Sequence, residues 1–257
     1  MIRFQSFLSG SSGNCTFITD GTTHLLVDCG AGGKYITECM RRIGVTPKDV
    51  SGILITHEHR DHIAGAGIIS RKFNLPIYAT AKTWQAMEGV LGVISPENHK
   101  ITKKNMMIKS LVVQSFPIPH DAAEPVGYSF LTDDEKLTIA TDIGYITDAV
   151  MNALKGSISV IIEANHDAQM LQNGRYPYPL KKRIAGDKGH LSNEGCGDLC
   201  VRLAESGTTD FWLGHLSAEN NTPTLAYETV TNILRSNDFQ VGNGINVNVL
   251  PRYWIES

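Results

Sequence analysis

Six short apolar segments of this sequence run directly into an acidic residue or a histidine. The segments are rich in Ile, Val, Leu and Phe, as strands are, and the residues that end them are Asp28, His57, His120, Asp142, Glu163 and His215. In open sheets of α/β proteins, binding sites form beyond the carboxyl ends of the strands. A turn explains any one such residue, but six together favour a shared site, provided that the strand ends lie at one edge.

The pattern of strands and helices indicates a mixed architecture. Strands are predicted at RFQSFL, CTFIT, HLLVD, GILIT, LPIYAT, SLVVQSF, GYSFLT, LTIATD, SVIIEA, DFWLG and INVNVL. Helices are predicted near residues 33–43, 62–73, 81–90, 147–154, 193–206 and 223–236. Early strands form apparent hairpins, and later ones alternate with helices. We therefore predict an α/β (α+β) fold in which two mixed sheets pack together with helices outside, in a single domain over residues 1–257.

Composition excludes several classes of protein. The chain is 42% hydrophobic and 19% charged, which excludes a disordered or low-complexity protein. No apolar run is long enough for a membrane helix, and the first residues do not resemble a secretory signal. Five cysteines without a CxxC pair are typical of reduced thiols, so we expect a cytoplasmic protein. The net charge of −3 argues against a strongly basic, genome-coating protein but leaves a local basic groove open.

The segment THEHRDH carries the strongest chemical signal. It places His57, His59, Asp61 and His62 at fixed offsets, and the chance rate of such a spacing is on the order of one in a thousand. His57 and His59 follow a strand, so their side chains point the same way. Asp61 and His62 enter the next helix and can turn toward an adjacent point. One short segment can thus present ligands to two neighbouring metal ions.

The ligand chemistry favours a pair of divalent ions. Imidazole and carboxylate without thiolate suit Zn or Mn, with Fe and Co as alternatives. Two close ions need a bridging anion, for which Asp142 is a good candidate, and His120 and His215 complete the two sites. Asp28 is interpreted as a residue behind the ligands that orients an imidazole, although it could instead form a turn.

These residues resemble the metal motifs of the metallo-β-lactamase-fold hydrolases. The resemblance covers HEHRDH with Asp28 before it and His120, Asp142 and His215 after it. It implies an αββα sandwich with a dinuclear site in the cleft between the sheets. By the motif, His57, His59 and His120 would hold one ion. Asp61, His62 and His215 would hold the other, with Asp142 as the bridge.

A narrower resemblance comes from segments outside these motifs. LSGSSGNC, IIEANHD, NGRYPYPLKKR, GHLSNE and LGHLSAENN are similar to the YycJ/WalJ group. This resemblance implies metal-dependent 5′-to-3′ DNA exonuclease activity, with RNase J and tRNase Z nucleases as relatives. In place of the large lid domain of β-CASP nucleases, the sequence has only a helix-forming stretch near 167–190.

Accessory segments fit phosphodiester chemistry. The candidate phosphate or nucleic-acid contacts are Ser11, Ser12, Asn14, Lys181, Lys182, Arg183, Ser192 and Asn193. Small flexible loops and helix N-termini approach phosphates closely, and basic side chains grip the nucleic-acid backbone. Tyr176 and Tyr178 could stack on bases. The alternatives are an ordinary surface turn, a solvated helix face and plain packing.

The catalytic candidates are Asp61, His190, Glu163 and His166. His190 is expected to protonate the leaving oxygen, with Glu163 or His166 as the acid or as its orienting partner. No strand precedes His190, so we predict it to lie outside the ligand edge. A hydroxide bridging two divalent ions would be the nucleophile.

We therefore predict a nuclease whose substrate is DNA, with RNA as an alternative, and no membrane or obligate protein partner. The rival predictions are a small-molecule hydrolase (cyclic phosphodiesterase, lactonase or thioesterase), a diiron oxygen-reducing module and a non-catalytic binding module. A diiron module favours a carboxylate where this chain has His59, and a binding module would lack a ligand.

Overall fold

The structure, a computed structural model, describes residues 1–254 and contains two mixed β-sheets. The first sheet has the order β1-β2-β3-β4-β5-β6, with strands β1 (Arg3–Leu8), β2 (Cys15–Thr19), β3 (His24–Val27), β4 (Gly52–Leu54), β5 (Ile77–Ala79) and β6 (His99–Ile101). Strands β1 to β3 pair antiparallel, and β3 to β6 pair parallel, so β3 joins the two parts of the sheet. The hairpin β2–β3 pairs Thr19 with His24, and Val27 of β3 pairs with Leu54 of β4.

The second sheet is also mixed. It has the order β13-β12-β11-β10-β9-β8-β7, with strands β7 (Asn105–Ile108), β8 (Leu111–Pro117), β9 (Val126–Leu131), β10 (Lys136–Ala140), β11 (Ser159–Glu163), β12 (Asp210–Gly214) and β13 (Asn246–Val249). Strands β10 to β13 run parallel, and β7 to β10 run antiparallel.

Helices cover the outer face of each sheet. They are α1 (Gly33–Arg42), α2 (Arg60–Ile63), α3 (Ala66–Phe73), α4 (Ala81–Ala86), α5 (Asp148–Leu154), α6 (Ala168–Asn173), α7 (Tyr178–Ile184), α8 (Asn193–Ala204) and α9 (Pro223–Ser236). Buried residues of α1, α3 and α4 pack on the first sheet, and those of α5, α8 and α9 pack on the second. A third apolar cluster joins the sheets to each other, with Leu25 and Leu54 on one side and Tyr128 and Phe130 on the other. The predicted αββα sandwich is confirmed.

Three sequence predictions of secondary structure need correction. Strands β6 and β7 were missed because both are short, lie at sheet edges and are largely exposed, which leaves little apolar alternation to detect. The helix predicted at 62–73 is two helices, α2 and α3. The chain breaks near Gly65, whose backbone crosses so close to Ala31 that a Cβ would overlap its carbonyl oxygen. Helix α4 ends at Ala86 rather than near residue 90.

The strand ends meet across the gap between the sheets. Asp28 and His57 follow strands β3 and β4 of the first sheet, whereas the other four predicted residues follow β8, β10, β11 and β12 of the second. The site is therefore built from two facing edges. The condition that all six strand ends share one edge is not met, whereas a position between the sheets is what the family resemblance implied.

Three of these strand-end residues have a left-handed backbone. Asp28, Asp142 and His215 have φ values of 59°, 62° and 54°. Such a conformation costs about 1–2 kcal/mol for a residue with a Cβ, and it persists where the surrounding structure holds it in place. The sharp turns redirect each side chain from its strand into the space between the sheets.

Within residues 1–254, the structure contains no helix whose length and hydropathy would let it cross a membrane.

Candidate metal centre

Three imidazoles converge on one point. The Nε2 atom of His57 lies 3.0 Å from Nδ1 of His59, and Nε2 of His120 lies 3.4 Å from the same atom. The far side of the His120 ring is fixed, because its Nδ1 donates to the carbonyl oxygen of Gly189 at 3.1 Å. These three side chains can offer one ligand atom each to a single ion.

A second group lies beside the first. Nε2 of His62 is 3.5 Å from Oδ2 of Asp61, and Nε2 of His215 is 3.7 Å from that oxygen. Asp61 and His62 reach this point because α2 begins at Arg60, so the chain turns directly after His59, whose backbone is extended. Asp61, His62 and His215 can also surround one ion.

Asp142 lies between the two groups. Its Oδ1 is 3.7 Å from Nε2 of His120 and 3.6 Å from Nε2 of His215, and its Oδ2 is 3.5 Å from Nε2 of His62. The residue is 3% exposed. One carboxylate thus touches imidazoles of both groups.

Unpartnered atoms test whether this cluster fits metal ions. The buried atoms Asp142 Oδ2 and His215 Nε2 have no hydrogen-bond partner within residues 1–254. Buried polar atoms are rarely left without one, and both atoms face the cluster. Imidazole and carboxylate donors grouped in this way suit divalent ions. The residues fit a metal site.

The electrostatics agree with this interpretation. Burial lowers the pKa of His57 and His120, which favours the neutral imidazoles that bind metals. Burial alone would also lower the pKa of His215, but the carboxylates of Asp142, Asp61 and Glu163 outweigh it and raise that pKa to about 10. The cluster therefore attracts positive charge, which divalent cations would supply.

Asp28 lies behind the second group. Its Oδ2 accepts a hydrogen bond from Nδ1 of His62 at 2.8 Å, and its two oxygens also accept from the hydroxyl and the backbone N–H of Thr56, each at 2.9 Å. These contacts fix the His62 ring so that Nε2 faces the cluster.

Asp28→Asn is expected to lower metal affinity or activity about 10- to 100-fold, as is typical for a residue that orients a ligand. Asn tolerates the left-handed backbone, so the change removes the charge without disturbing the turn. Metal titration with turnover measurements checks this. Unchanged affinity and turnover would mean that His62 does not depend on Asp28.

Glu163 and His190 form a hydrogen-bonded pair beside the cluster. Nδ1 of His190 is 3.1 Å from Oε2 of Glu163, and Oε1 of Glu163 accepts from the backbone N–H groups of Leu191, at 3.0 Å, and Ile143. Burial opposes the charge of Glu163, yet the His190 imidazole and a hydrogen bond with His215 lower its pKa to about 2. Nδ1 of His190 is also only 3.7 Å from Asp142 Oδ1, so His190 lies against the ligand cluster and not apart from it, which corrects the sequence-based expectation.

A comparison with known protein families supports the interpretation of this site as a metal centre. The family described as the Metallo-beta-lactamase superfamily matches residues 8–159, more than half of the chain. The chain belongs to this superfamily. The family resemblance seen in the sequence is confirmed, and the chain is a hydrolase of that superfamily.

Relatives extend the match over nearly the whole hydrolase. Exodeoxyribonuclease YycJ of Bacillus anthracis is 39% identical over 249 residues, covering 96% of this chain and 94% of that protein. Exodeoxyribonuclease WalJ of Streptococcus pneumoniae serotype 2 (strain D39) is 40% identical over 244 residues, covering 93% and 91%. The metallo-β-lactamase fold protein YhfI of Bacillus subtilis has a TM-score of 0.74 at 14% identity, covering 99% of this chain and 98% of that one. The last comparison concerns the fold alone.

A cleft of about 260 Å³ lies over the candidate metal-binding residues of the hydrolase. Besides five cluster residues and His190, its walls include Ser11, Asn165, Tyr176, Arg183, Lys188 and Ser217. Sequence reasoning missed Asn165, Lys188 and Ser217 as wall residues. The segments IIEANHD and LGHLSAENN contain Asn165 and Ser217, so the signal was present but could not single them out.

The loop of residues 9–14 lines the cleft and also supports the metal-binding residues. Ser11 lines the cleft, and Ser12 is exposed beside Tyr253. Asn14 is buried, with Nδ2 donating to the carbonyl oxygen of Gly10 and lying 3.1 Å from Nε2 of His62. Its amide therefore braces the metal cluster and is not free to contact a phosphate as predicted.

Residues at the start of α8 also differ from expectation. Asn193 is fully buried, and its amide exchanges two hydrogen bonds with Asn221, so it cannot reach a nucleic acid. Ser192 caps α8 by accepting from the backbone N–H of Gly195 at 3.2 Å. His166 is 4% exposed, and it does not line the cleft.

The three basic residues of α7, Lys181, Lys182 and Arg183, make different contacts. Lys181 donates to the carbonyl oxygen of Gln172 at 2.7 Å, and Lys182 is exposed without lining the cleft. Only Arg183 of the three faces the cleft, where Lys188 joins it. Tyr176 also lines the cleft, whereas Tyr178 is 76% exposed outside it.

Proposed function

We propose that this hydrolase is a dinuclear metal-dependent exonuclease that degrades DNA from the 5′ end. The observation that carries the proposal is the cluster of nine His, Asp and Glu side chains that could hold metal ions, beneath a cleft whose wall holds two cations, Arg183 and Lys188. The relatives named exodeoxyribonucleases support DNA as the substrate.

In this proposal the cluster holds two ions, Zn or Mn. His57, His59 and His120 would hold one, Asp61, His62 and His215 would hold the other, and Asp142 would serve both. When bound, divalent ions in such a site lower the pKa of water, which supplies the nucleophile, and neutralise charge on the phosphoryl group. Asp28 keeps the His62 ring in its ligating orientation.

His190 is proposed as the proton donor to the leaving oxygen. An alkoxide leaves poorly without a proton, and a positioned imidazole can supply one. Glu163 holds the ring by its Nδ1 atom at 3.1 Å, which leaves Nε2 for the substrate. His190 is the more suitable donor than His166 because its side chain lines the cleft.

The dimensions of the cleft favour the end of a strand over a small molecule. Its volume of about 260 Å³ lies below the roughly 300–1,000 Å³ of pockets that bury a drug-sized ligand. Most of a bound strand would therefore lie outside the cleft. Arg183 and Lys188 offset the overall charge of −3 at the place where phosphates would pass.

We also retain two broader proposals, a single domain over residues 1–257 and a cytoplasmic location. All five cysteines are unpaired thiols, which suits a reducing compartment.

The experiment is hydrolysis by metal-reconstituted protein of DNA and RNA strands and duplexes, each labelled at either the 5′ or the 3′ end. Bis(p-nitrophenyl) phosphate serves as the small phosphodiester. We expect mononucleotide release from the 5′ label on DNA before the 3′ label is released. Rapid hydrolysis of the small ester with no cleavage of any strand would instead favour the small-molecule hydrolase.

Neutralising the two cleft cations should weaken DNA binding and make it less dependent on salt. Arg183→Ala and Lys188→Ala should each reduce the log–log salt slope by up to about one unit if each contacts one phosphate. Lys182→Ala removes the same charge from a residue outside the cleft and should change the slope much less. Equal effects of all three variants would mean that Arg183 and Lys188 act only through general electrostatic attraction and not through contacts in the cleft.

A further inference from the structure

The charge of Arg183 is already paired in the free hydrolase. Its Nε donates to Oδ2 of Asp121 at 2.9 Å, and the two side chains are 57% and 54% exposed. No hydrogen bond from either Nη of Arg183 to another residue is present in the described part of the chain, residues 1–254. The guanidinium therefore lines the cleft with most of its donors unused.

Asp121 is held in place by the same wall. It follows His120 directly, and its backbone N–H donates to the carbonyl oxygen of Lys188 at 3.1 Å. Its carboxylate reaches Arg183 from outside the cleft, since Asp121 is not among the lining residues. The fixed backbone keeps an anion beside a cation that faces the substrate.

We propose that Asp121 competes with a backbone phosphate of the substrate strand for Arg183. This inference rests on the proposed function. An exposed ion pair is weak and easily exchanged. A phosphate can accept two parallel hydrogen bonds from a guanidinium, whereas Asp121 occupies only Nε. Asp121 is thus a positioning residue that sets how tightly the cleft holds DNA.

Asp121→Asn should tighten DNA binding and lower KM by about 2- to 5-fold, the range expected for an exposed ion pair. The kcat should stay within about 2-fold, because neither side chain touches the reacting atoms. Hydrolysis of bis(p-nitrophenyl) phosphate should not change, since that ester has no flanking phosphate to reach Arg183.

The experiment measures Kd by fluorescence anisotropy, and kcat and KM, for a labelled single-stranded DNA with the metal-loaded protein. Asp198→Asn is the matched control, because Asp198 is exposed on α8 and the variant makes the same change in net charge. Asp121→Asn is also measured in the Arg183→Ala background. If Asp121 competes with phosphate, Asp121→Asn should tighten DNA binding in the Arg183→Ala background no more than Asp198→Asn does.

Three outcomes would overturn the proposal. An unchanged or larger KM in Asp121→Asn would mean that Asp121 supports Arg183 or does nothing. If Asp121→Asn tightens DNA binding equally without Arg183, or no more than Asp198→Asn does, the effect would come from the change in net charge. A parent protein that binds no DNA would instead refute the proposed function, and the competition with it, and is recognised by the parent measurement alone.

Discussion

Asp142→Asn is expected to lose metal from both groups and to abolish hydrolysis. Its carboxylate lies 3.5–3.7 Å from imidazoles of both groups, so removing the charge weakens two ions together. The loss should exceed that of Asp28→Asn, for which ~10²-fold is the upper end. Metal content per chain and initial rates on labelled DNA measure the effect.

The choice of Asn and a matched control separate metal loss from misfolding. Asp142 has a φ of 62°, and Asn adopts that left-handed conformation more readily than Ala. Asp238→Asn makes the same substitution at a φ of 66° on an exposed residue after α9. Asp238→Asn should keep both metal and activity. Full metal content and normal rates in folded Asp142→Asn would contradict the assignment of Asp142.

His190→Ala should keep both ions but cleave DNA about 10²- to 10⁴-fold more slowly, the usual contribution of a positioned proton donor. The defect should shrink on bis(p-nitrophenyl) phosphate, whose nitrophenolate leaves without a proton. Rates on both substrates, with metal content measured alongside, test the role.

His166, the alternative proton donor, provides the comparison for His190. His166→Ala removes a buried imidazole that does not line the cleft, so its effect on DNA cleavage should be much smaller. An equal loss on both substrates in His190→Ala would indicate phosphate positioning. Loss of metal would instead make His190 a ligand, since its Nδ1 lies 3.7 Å from Asp142.

Much of the fold was predictable because its core strands are short and strongly apolar. Periodicity located them, and the alternation of hairpins with helices indicated two packed sheets. The edge strands β6 and β7 were missed because they bury little apolar surface. At the break between α2 and α3 the backbone N–H of Gly65 donates to the carbonyl oxygen of Cys29 instead of to the preceding helical turn. Cys29 is distant in the sequence, so the apolar pattern alone does not mark the break.

The site was predictable where residue type and strand position coincide. Asp28, His57, Asp142 and His215 each end an apolar strand, and the structure brings them together. Asn193 was misplaced because a motif places a residue in a segment without saying which way it faces, and its amide turns inward to Asn221. Lys188 was overlooked because it has no strand or basic run beside it, and only the fold of residues 168–190 puts it on the cleft wall.

The most direct test of the account is the number of ions required for cleavage. Protein stripped by a chelator is titrated with Mn or Zn while bound metal per chain and release of a 5′ label are measured in the same samples. We expect no cleavage without metal and full activity only as the content approaches two ions per chain. Full activity of the metal-free protein, or at one ion per chain, would contradict the dinuclear centre.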